Sequence, residues 1–257
     1  MPLSSTNKKA LGLIRYFDKI CKDNNIWYTL TSGSVLGAVR HNGFIPWDSD
    51  IDVFVKQEDL DKLRHLLCKN VPDGMKLYIW DEEKKYHSCH DKLAYNDIPH
   101  EMIHVDIFTL IGVPNSLLRQ KIFTSLCFYS YEILRCKHVN VQFSKPNHRV
   151  PIRVIKFFLQ IVPDTLIKRW YHFLEHKHDF NNSEFAYTLS SGYRMRECLP
   201  KEIYLNSIKV PFEDLMLPIP KNYSKYLTSV YGDYMTLPPI EKRVPLHGFE
   251  KIQFIED

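Results

Sequence analysis

The spacing of apolar residues predicts a mixture of helices and strands in the first half of the chain. Apolar residues recur at intervals of three and four between residues 6 and 23, which is typical of an amphipathic helix. Residues 27–31 and 51–55 are rich in aromatic and β-branched side chains and predict two strands. Between them, residues 35–40 predict a short helix that ends before Asn42 and Gly43, a pair that favours turns.

This pattern continues to about residue 112 and then changes. A helix is expected to start near Glu58, and strands are expected over residues 75–80, 89–95 and 104–110. Further helices are expected over residues 116–137, 154–160 and 166–178, and the proline-rich remainder predicts short helices and loops. We therefore expect an α/β (α+β) protein, with a mixed sheet in the N-terminal half and a mainly helical C-terminal half packed on it. No linker or repeat interrupts the sequence, so residues 1–257 are expected to form a single domain.

Composition and charge exclude several classes of protein. Of the 257 residues, 44% are hydrophobic and 25% are charged, which is typical of a folded protein with a sizeable core. The chain has no run of about 18 uncharged apolar residues, so no membrane-spanning helix is expected. Its first twenty residues do not resemble a secretory signal. The net charge of +4 is too small to indicate a nucleic-acid partner, but it suits a protein that handles phosphates or lies at an anionic membrane.

The six cysteines are scattered along the chain without a Cys-x-x-Cys pair. They indicate reduced, mostly buried thiols and a cytoplasmic protein. Among His and Cys residues, the densest group is His87, Cys89 and His90, followed by His100 and His104. A proline directly before His100 disfavours a helix that would align these side chains, so the sequence favours buried thiols over a zinc site.

A glycine-serine pair and two acidic residues further along the chain are the first candidates for a functional site. Gly33 and Ser34 stand where a predicted strand gives way to a predicted helix, and the N–H groups and dipole of such a helix can bind phosphate. Asp50 and Asp52 lie two apart on the next predicted strand, so both carboxylates are expected on one face. Such close like charges repel, and a divalent cation is their natural counter-ion. Asp48 either extends this row or lies in the turn before it.

Asp106 is the acid at the centre of the apolar segment 104–110. A buried carboxylate is costly unless something pairs with it. If this strand lies beside residues 51–55, Asp106 joins Asp50 and Asp52 in a metal site of three carboxylates. A Gly-Ser turn, an Asp-x-Asp pair and a distant third Asp form the pattern of the nucleotidyltransferase fold. In that pattern two acids bind magnesium, and the third shares the metal or deprotonates the attacking hydroxyl.

One motif resembles the signature of the LicD family, which includes the fukutin-related proteins. It reads SGSVLGAVRHNGFIPWDSDIDVFV and is both long and chemically unusual. HVDIFTL resembles the family's third-acid strand, and Asp91-Lys92-Leu93 resembles the basic position before it. Residues 212–243 resemble the family's C-terminal stretch, so the resemblance covers residues 8–250, nearly the whole chain.

The resemblance implies a nucleotidyltransferase-like core over residues 8–112, elaborated by a mainly helical part over residues 113–257. It also implies phosphotransfer: family members move the alcohol phosphate of a CDP-alcohol onto a glycan hydroxyl and release CMP. Phosphocholine is the first expectation and ribitol phosphate the second. The acceptor would be a surface glycan, free or lipid-linked, of the lipopolysaccharide, capsule or teichoic acid type. Mg²⁺ is the expected cofactor, with Mn²⁺ as the alternative.

Carried over to this chain, the resemblance assigns a metal-binding role to three acids, which are Asp50, Asp52 and Asp106. Asp106 would be either the remaining ligand or the general base, and Asp48 an outer ligand. Gly33 and Ser34 would hold phosphate.

Basic side chains are the other candidates for the substrate site. Arg40 and Lys92 are expected to neutralise the pyrophosphate, although Arg40 is equally expected as a structural partner of Asp48 or Asp50. Near the C-terminus, three further residues are candidates to contact the substrate, which are Lys242, Arg243 and His247. The neighbouring Tyr231 and Tyr234 are expected to pack the helical half onto the sheet instead.

Residues 151–170 combine basic side chains with aromatic and branched apolar ones. This composition fits either a helix pair that covers the sheet or a peripheral contact with the inner face of a membrane. For the chain as a whole, three hypotheses stay open. It is a CDP-alcohol phosphotransferase, a nucleotidyltransferase that releases pyrophosphate, or a non-catalytic scaffold in glycan assembly, which would have no need of a costly acid cluster.

Overall fold

The computed structural model describes the backbone of residues 4–83, 88–100, 102–138 and 146–243, and their side chains except those of residues 146–152. The helices are α1 (Ser5–Asp23), α2 (Ser32–His41), α3 (Leu60–Asn70), α4 (Leu117–His138), α5 (Pro146–Leu159), α6 (Asp164–Glu175), α7 (Lys201–Leu205) and α8 (Tyr223–Tyr231). The strands are β1 (Tyr28–Leu30), β2 (Ile51–Lys56), β3 (Met75–Tyr78), β4 (Asp91–Tyr95), β5 (His104–Val113), β6 (Phe185–Tyr187), β7 (Leu199–Pro200), β8 (Ser207–Phe212) and β9 (Leu215–Pro220). Among these helices, none is both long enough and apolar enough to cross a bilayer.

A mixed sheet with the strand order β1-β2-β5-β4-β3 forms the centre of the fold. Only β2 and β5 pair in parallel; the other pairs in this order are antiparallel. The long strand β5 continues past β2 and pairs with β6, which in turn pairs with β7. This mixed α/β architecture confirms the fold class expected from the sequence.

The strand β2 shows the expected alternation between an apolar and a polar face. Ile51, Val53 and Val55 are fully buried in the main core, to which α1 and α3 contribute apolar side chains. Asp52 points to the opposite face, because side chains alternate along a strand. A second apolar cluster lies between the far half of β5, the strand β6 and the helices α4 and α6, with Tyr171 and Tyr187 fully buried in it.

The hairpin of β8 and β9 is the largest element that the sequence pattern did not predict. Its strands contain three prolines, which led to the expectation of short helices and loops. The hairpin nevertheless forms, because it is a separate two-stranded sheet with one face packed against β1. At its turn, Glu213 accepts a hydrogen bond from the backbone N–H of Phe44 at 3.1 Å and thereby fixes the chain between α2 and β2.

A buried charge network connects the sheet to the helices. Arg64 on α3 donates to both carboxylate oxygens of Asp91 on β4, at 2.6 and 2.9 Å, and the N–H of Trp80 donates to the same carboxylate. Arg64 also lies 3.4 Å from Asp81, which is bound in turn by His172 of α6 at 2.8 Å. The hydrogen bond with Asp81 raises the pKa of His172 to about 9, so the imidazole carries a charge at neutral pH.

We expect the substitution Arg64→Met to destabilise the protein strongly, because it leaves the carboxylate of Asp91 buried without its counter-charge. Removing one partner of a buried ion pair typically costs about 3–5 kcal/mol in the free energy of unfolding. The matched control is Arg15→Met: Arg15 pairs with Asp214 at the same 2.6 Å, but both side chains are more than half exposed. For this exposed pair we expect a loss of at most about 1 kcal/mol.

The pH dependence of the Arg64→Met variant provides a second test. Burial already raises the pKa of Asp91 above its ordinary value despite Arg64, and loss of Arg64 raises it further. A carboxyl group with a raised pKa in the folded state takes up a proton more readily than in the unfolded state. The deficit of the variant should therefore shrink as the pH falls from 8 towards 5 in urea titrations. A deficit independent of pH would contradict this account.

Candidate active site

The parallel pairing of β2 and β5 brings the candidate acids together. Asp52 and Asp106 are direct neighbours in the register of the two strands, so both side chains lie on the same face of the sheet. Asp50 comes just before β2, and one of its oxygens, one ring nitrogen of His104 and one oxygen of Asp106 all lie within 4.8 Å of one another. The structure therefore assembles the acids that the sequence places on separate strands.

Asp106 lies at the base of this cluster and is surrounded by basic side chains. Its oxygens lie 2.8 Å from Nζ of Lys92, 3.2 Å from Nε2 of His90 and 3.3 Å from Nε2 of His104. Burial alone would favour the neutral acid, but these neighbours hold the pKa of Asp106 well below its ordinary value. Asp106 is therefore ionised in the folded protein.

The pKa values of Asp48 and Asp52 are shifted in the opposite direction, upwards. Burial, followed by the charge of Asp50 and a hydrogen bond with it, raises the pKa of Asp48 to about 9. Burial and the charges of Asp50, Asp106 and Asp48 raise the pKa of Asp52 well above its ordinary value. A hydrogen bond between two carboxyl groups requires that one of them holds a proton. The cluster thus has more acidic groups than its own basic side chains can neutralise.

This excess of acid fits a divalent cation. Carboxylate oxygens are the ligands that hard cations such as Mg²⁺ prefer, and a cation between the acids would allow all of them to ionise. Asp50 and Asp106 have ligand atoms within 4.8 Å of one another, and the charges of both act on the carboxyl of Asp52. His104 is the additional ligand candidate that the sequence did not single out for this group.

The N-terminus of α2 faces the same carboxylates. The helix begins at Ser32, so Gly33 and Ser34 lie within its first turn rather than in a turn before it. A Cβ atom at Gly33 would come within 3.0 Å of Oδ2 of Asp48, so glycine keeps open the space between the helix and the acids. The hydroxyl of Ser34 accepts a hydrogen bond from the N–H of Asp52 at 2.8 Å, which fixes α2 against β2.

A buried hydrogen-bond network holds the start of α2 in place. Ser32 has a positive φ of 47°, an unusual backbone conformation for a residue with a side chain. Its N–H donates to the hydroxyl of Tyr226 at 3.0 Å, and that hydroxyl lies 2.7 Å from Oγ1 of Thr31. The Tyr226 hydroxyl donates in turn to the buried carboxyl of Glu197 at 3.1 Å. The side chains of Tyr226 and Glu197, both distant in sequence, thus help Thr31 to determine where the helix begins.

A cavity of about 340 Å³ opens between these elements. Four acids line it, which are Asp48, Asp50, Asp52 and Glu197. Five aromatic rings line it as well, which are Trp47, Phe54, Phe108, Tyr193 and Tyr231. The rings of Tyr193 and Tyr231 meet edge to face, with their centroids 5.5 Å apart. Ser32, Gly33 and the hydroxyl-bearing Thr188, Ser190 and Ser191 also line it, and the described part of the lining contains no Lys or Arg.

The basic candidates lie beside or below the cavity. Lys92 is buried against Asp106, so its charge is shared with that carboxylate. Arg40 donates to the carbonyl oxygen of Tyr234 at 3.1 Å. The guanidinium of Arg243 lies 5.8 Å from the ring centre of Trp47, a residue of the cavity wall. Burial and the nearby charge of Arg243 lower the pKa of Arg40, so these two guanidinium groups are neighbours.

The structure gives no substrate-site contact for two C-terminal candidates, Lys242 and His247. Lys242 is exposed in a short 3-10 turn, Ile240–Lys242. His247 lies outside the described residues. Substrate contact by both residues stays a prediction.

Sequence reasoning missed several residues of the site. Glu197 stands between Arg196 and Cys198, and nothing in its local pattern indicates that it is buried. Tyr193 and Tyr226 belong to aromatic-rich segments that are indistinguishable from ordinary core segments. Tyr231, which we expected to serve packing alone, also lines the cavity.

Comparison with known sequences relates this chain to the LicD family, in agreement with the resemblance found in its motifs. The sequence model of the LicD/FKTN/FKRP nucleotidyltransferase domain matches residues 25–151, the part of the chain that contains the acid cluster. The lipopolysaccharide cholinephosphotransferase LicD of Haemophilus influenzae is 27% identical and covers 93% of each chain. An uncharacterised protein of Rickettsia typhi is 44% identical over 39% of this chain and 34% of its own length.

A human protein shares a shorter segment. The human ribitol 5-phosphate transferase FKRP is 32% identical over 97 residues, which are 37% of this chain but only 19% of the human protein. The similarity to the Haemophilus protein extends over nearly the full length of both chains, whereas the similarity to the human protein is confined to a part of each.

We expect the substitution Asp52→Asn to stabilise the metal-free protein. Because burial and the charges of Asp50, Asp106 and Asp48 raise the pKa of Asp52, a neutral amide at this position relieves an electrostatic cost of the folded state. The same change should abolish the increase in melting temperature that Mg²⁺ produces in the unaltered protein, since a cation ligand is lost. Thermal unfolding with and without 5 mM Mg²⁺, roughly a saturating level for such sites, measures both effects.

The control for this experiment is Asp61→Asn, which removes a carboxylate from an exposed position on α3. It should alter neither the stability nor the response to Mg²⁺. If Asp52→Asn destabilised the metal-free protein, or kept the Mg²⁺ response, the proposed excess of buried acid would be wrong.

We expect Tyr226→Phe to loosen the start of α2. Without the hydroxyl, the N–H of Ser32 and the carboxyl of Glu197 each lose a buried partner, and the free energy of unfolding should fall by about 1–3 kcal/mol. Amide hydrogen exchange of residues 32–34 should become faster. Tyr171→Phe is the matched control, since the buried hydroxyl of Tyr171 has no hydrogen-bond partner among the described residues. Equal effects of both substitutions would assign Tyr226 to packing alone.

Proposed function

The chain belongs to the LicD family, and on this premise we propose that it is a Mg²⁺-dependent phosphotransferase. It would transfer the alcohol phosphate of a CDP-alcohol to a hydroxyl of a cell-surface glycan and release CMP. Two of its relatives, a lipopolysaccharide cholinephosphotransferase and a ribitol 5-phosphate transferase, support a transferase of this general type.

The observation that carries the proposal is the acid cluster at the N-terminus of α2. Asp48, Asp50 and Asp52 line a cavity that also contains the open backbone of Gly33. A helix N-terminus attracts phosphate, and adjacent carboxylates attract the cation that accompanies phosphate. The two features are useful together in phosphotransfer, because the reacting group carries several negative charges.

In the proposed site, Asp50, Asp52 and Asp106 would hold Mg²⁺, or Mn²⁺ as the alternative. The cation would neutralise charge on the donor's phosphate oxygens. Asp106 suits a ligand role because Lys92 and His104 keep it ionised. Asp48, bonded to Asp50, would act as an outer ligand.

The reaction itself requires little covalent chemistry from the protein. The acceptor hydroxyl attacks the phosphorus that carries the alcohol, the bond from that phosphorus to the CMP oxygen breaks, and CMP leaves. The hydroxyl proton passes to one of the cavity carboxylates. Gly33 and Ser34 position the donor's phosphates against the helix, which keeps the reacting atoms aligned. No covalent nucleophile is needed.

Basic side chains would assist from the rim of the cavity. Arg40 and Arg243 are neighbours, and Arg243 lies over the ring of Trp47, which supports the proposal that both contact the pyrophosphate or the acceptor. Lys242 and His247 follow in the same segment of the sequence. Lys92 would act indirectly, through the charge it gives to Asp106.

The lining of the cavity supports choline as the transferred alcohol. A quaternary ammonium group is bound by the faces of aromatic rings and is attracted by nearby carboxylates. The cavity offers both, with Trp47, Tyr193 and Tyr231 on its wall and Glu197 among its acids. Ribitol would instead need a set of hydrogen-bonding groups, for which the hydroxyls of residues 188–191 are the candidates. We therefore propose phosphocholine first and ribitol phosphate second.

We propose that the reaction takes place in the cytoplasm, at the inner face of the membrane. The acceptor would be a glycan of the lipopolysaccharide, capsule or teichoic acid type, free or attached to a lipid.

We expect the purified protein to release CMP from CDP-choline slowly in the presence of Mg²⁺, with water as the acceptor. Chelation of the metal should stop the release, and Asp52→Asn should lower it at least about 100-fold, since one lost transition-state contact commonly costs that much. CDP-ribitol should react more slowly than CDP-choline. Chromatographic measurement of CMP checks each of these outcomes, with Asp61→Asn as the control.

The products separate this proposal from its competitor. A nucleotidyltransferase would release pyrophosphate from CTP and no CMP from either CDP-alcohol. Absence of CMP release, together with absence of metal-dependent binding of either donor, would overturn the phosphotransferase proposal.

A further inference from the structure

An apolar surface extends over the helices α4, α5 and α6 on the outside of the molecule. Near the end of α5 lie Phe157, Phe158 and the following Ile161, whose exposed fractions are 69%, 62% and 75%. Tyr129 and Ile133 on α4 and Trp170 on α6 are also exposed. Scattered exposed apolar residues are ordinary, but a group of this size on adjoining helices indicates an interaction site.

The exposed side chains belong to helices that adjoin one another. The helix α4 packs against both α5 and α6. The indole N–H of Trp170 on α6 donates to Oγ of Ser130 on α4 at 2.9 Å, which fixes these two helices side by side. The ring of Trp170 stacks on Phe173 at a centroid distance of 5.5 Å, and both rings remain partly exposed.

The charges of these helices indicate what covers the surface. In sequence, the three helices carry nine Lys or Arg residues and only three Asp or Glu residues. Several basic side chains adjoin the apolar ones: exposed Arg153 precedes Val154, and Arg169 precedes Trp170. Nζ of Lys177 lies 4.9 Å from the ring centre of Phe173. Apolar side chains bordered by positive charge are typical of helices that lie on anionic membranes.

A second copy of the chain fits this surface less well. A symmetric dimer through the same face would bring two basic surfaces together, and like charges across an interface oppose association. An anionic lipid surface provides negative charge for the basic side chains and an apolar interior for the rings. We therefore propose that the surface formed by α4, α5 and α6 binds an anionic membrane.

This surface is connected to the cavity by a short path. The guanidinium of Arg194 lies 3.9 Å from the ring centre of Phe128 and 5.0 Å from that of Tyr129, both on α4. The preceding residue, Tyr193, lines the cavity. Binding of α4 to a membrane would therefore bring the cavity close to the lipid headgroups. This step rests on the proposed function and implies that the acceptor glycan is attached to a lipid.

Vesicle flotation with the full chain tests the proposal, without any donor present. The chain should float with vesicles of 70% phosphatidylcholine and 30% phosphatidylglycerol, roughly a bacterial charge density, in 0.1 M NaCl. Vesicles of phosphatidylcholine alone should bind about tenfold less, as should the charged vesicles in 0.5 M NaCl. The double substitution Phe157→Ser with Phe158→Ser should lower the bound fraction about tenfold.

A matched control is available outside the helices α4, α5 and α6. Met216 and Ile240 have exposed fractions of 50% and 78%, and the double substitution Met216→Ser with Ile240→Ser should leave vesicle binding unchanged. Unaltered melting temperatures would show that all variants fold. Equal vesicle binding by both double variants, or none by the unaltered chain, would overturn the proposal. A dimer in light scattering that the Phe157 and Phe158 substitutions dissociate would assign the surface to a second copy.

The vesicle experiment is independent of the catalytic proposal. Release of CMP into water requires no membrane, so the Phe157 and Phe158 double variant should retain it while losing vesicle binding. If the unaltered chain binds vesicles as expected but no form of the protein releases CMP, the proposed function is contradicted and the membrane proposal is not.

Discussion

The pairing of two parallel strands forces carboxylates into one place, and the rest of the site depends on how their charge is balanced. The register of β2 and β5 sets Asp52 beside Asp106. Lys92 and His104 balance the negative charge of Asp106, whereas the acids that line the cavity remain in excess over the basic side chains near them. Such an arrangement is unfavourable for stability in isolation, since unneutralised acids favour the unfolded state. It becomes favourable when a cation binds, so the arrangement links the fold directly to a ligand.

The elements around the acids are held by contacts that are distant in sequence. The first turn of α2 is fixed by Tyr226, more than 190 residues away, and by the buried carboxyl of Glu197 behind it. The turn of the β8–β9 hairpin holds the chain near Phe44 through Glu213. These contacts place the helix N-terminus opposite Asp48 without a strong local preference of the sequence for that geometry. The C-terminal half therefore contributes to the site by positioning the N-terminal half.

The pattern of apolar and polar residues predicted those strands whose formation depends mainly on neighbouring residues in the sequence. The alternation of apolar residues around Asp52 predicted β2, and the acid within an apolar segment predicted the position of Asp106; the structure confirms both strands. The pattern failed where tertiary packing decides. The β8–β9 hairpin forms despite its prolines because one face packs on β1, and the burial of Glu197 follows from a hydrogen bond to Tyr226, which no local spacing can indicate. Lys92 was expected at the pyrophosphate, but its contact with Asp106 depends on the register of β4 and β5.

The distribution of charge also explains why the net charge of the chain did not indicate an acidic site. The net charge of +4 for the whole chain does not show that two of its regions have charges of opposite sign. The helices α4, α5 and α6 carry a marked excess of Lys and Arg, whereas the cavity is lined by four acids and, among the described residues, by no Lys or Arg. Basic side chains attract anionic surfaces over a distance set by salt, whereas buried acids act over a few ångströms on a cation and its phosphate. The two regions can therefore serve separate tasks in one small protein, and only the fold reveals that they are separate.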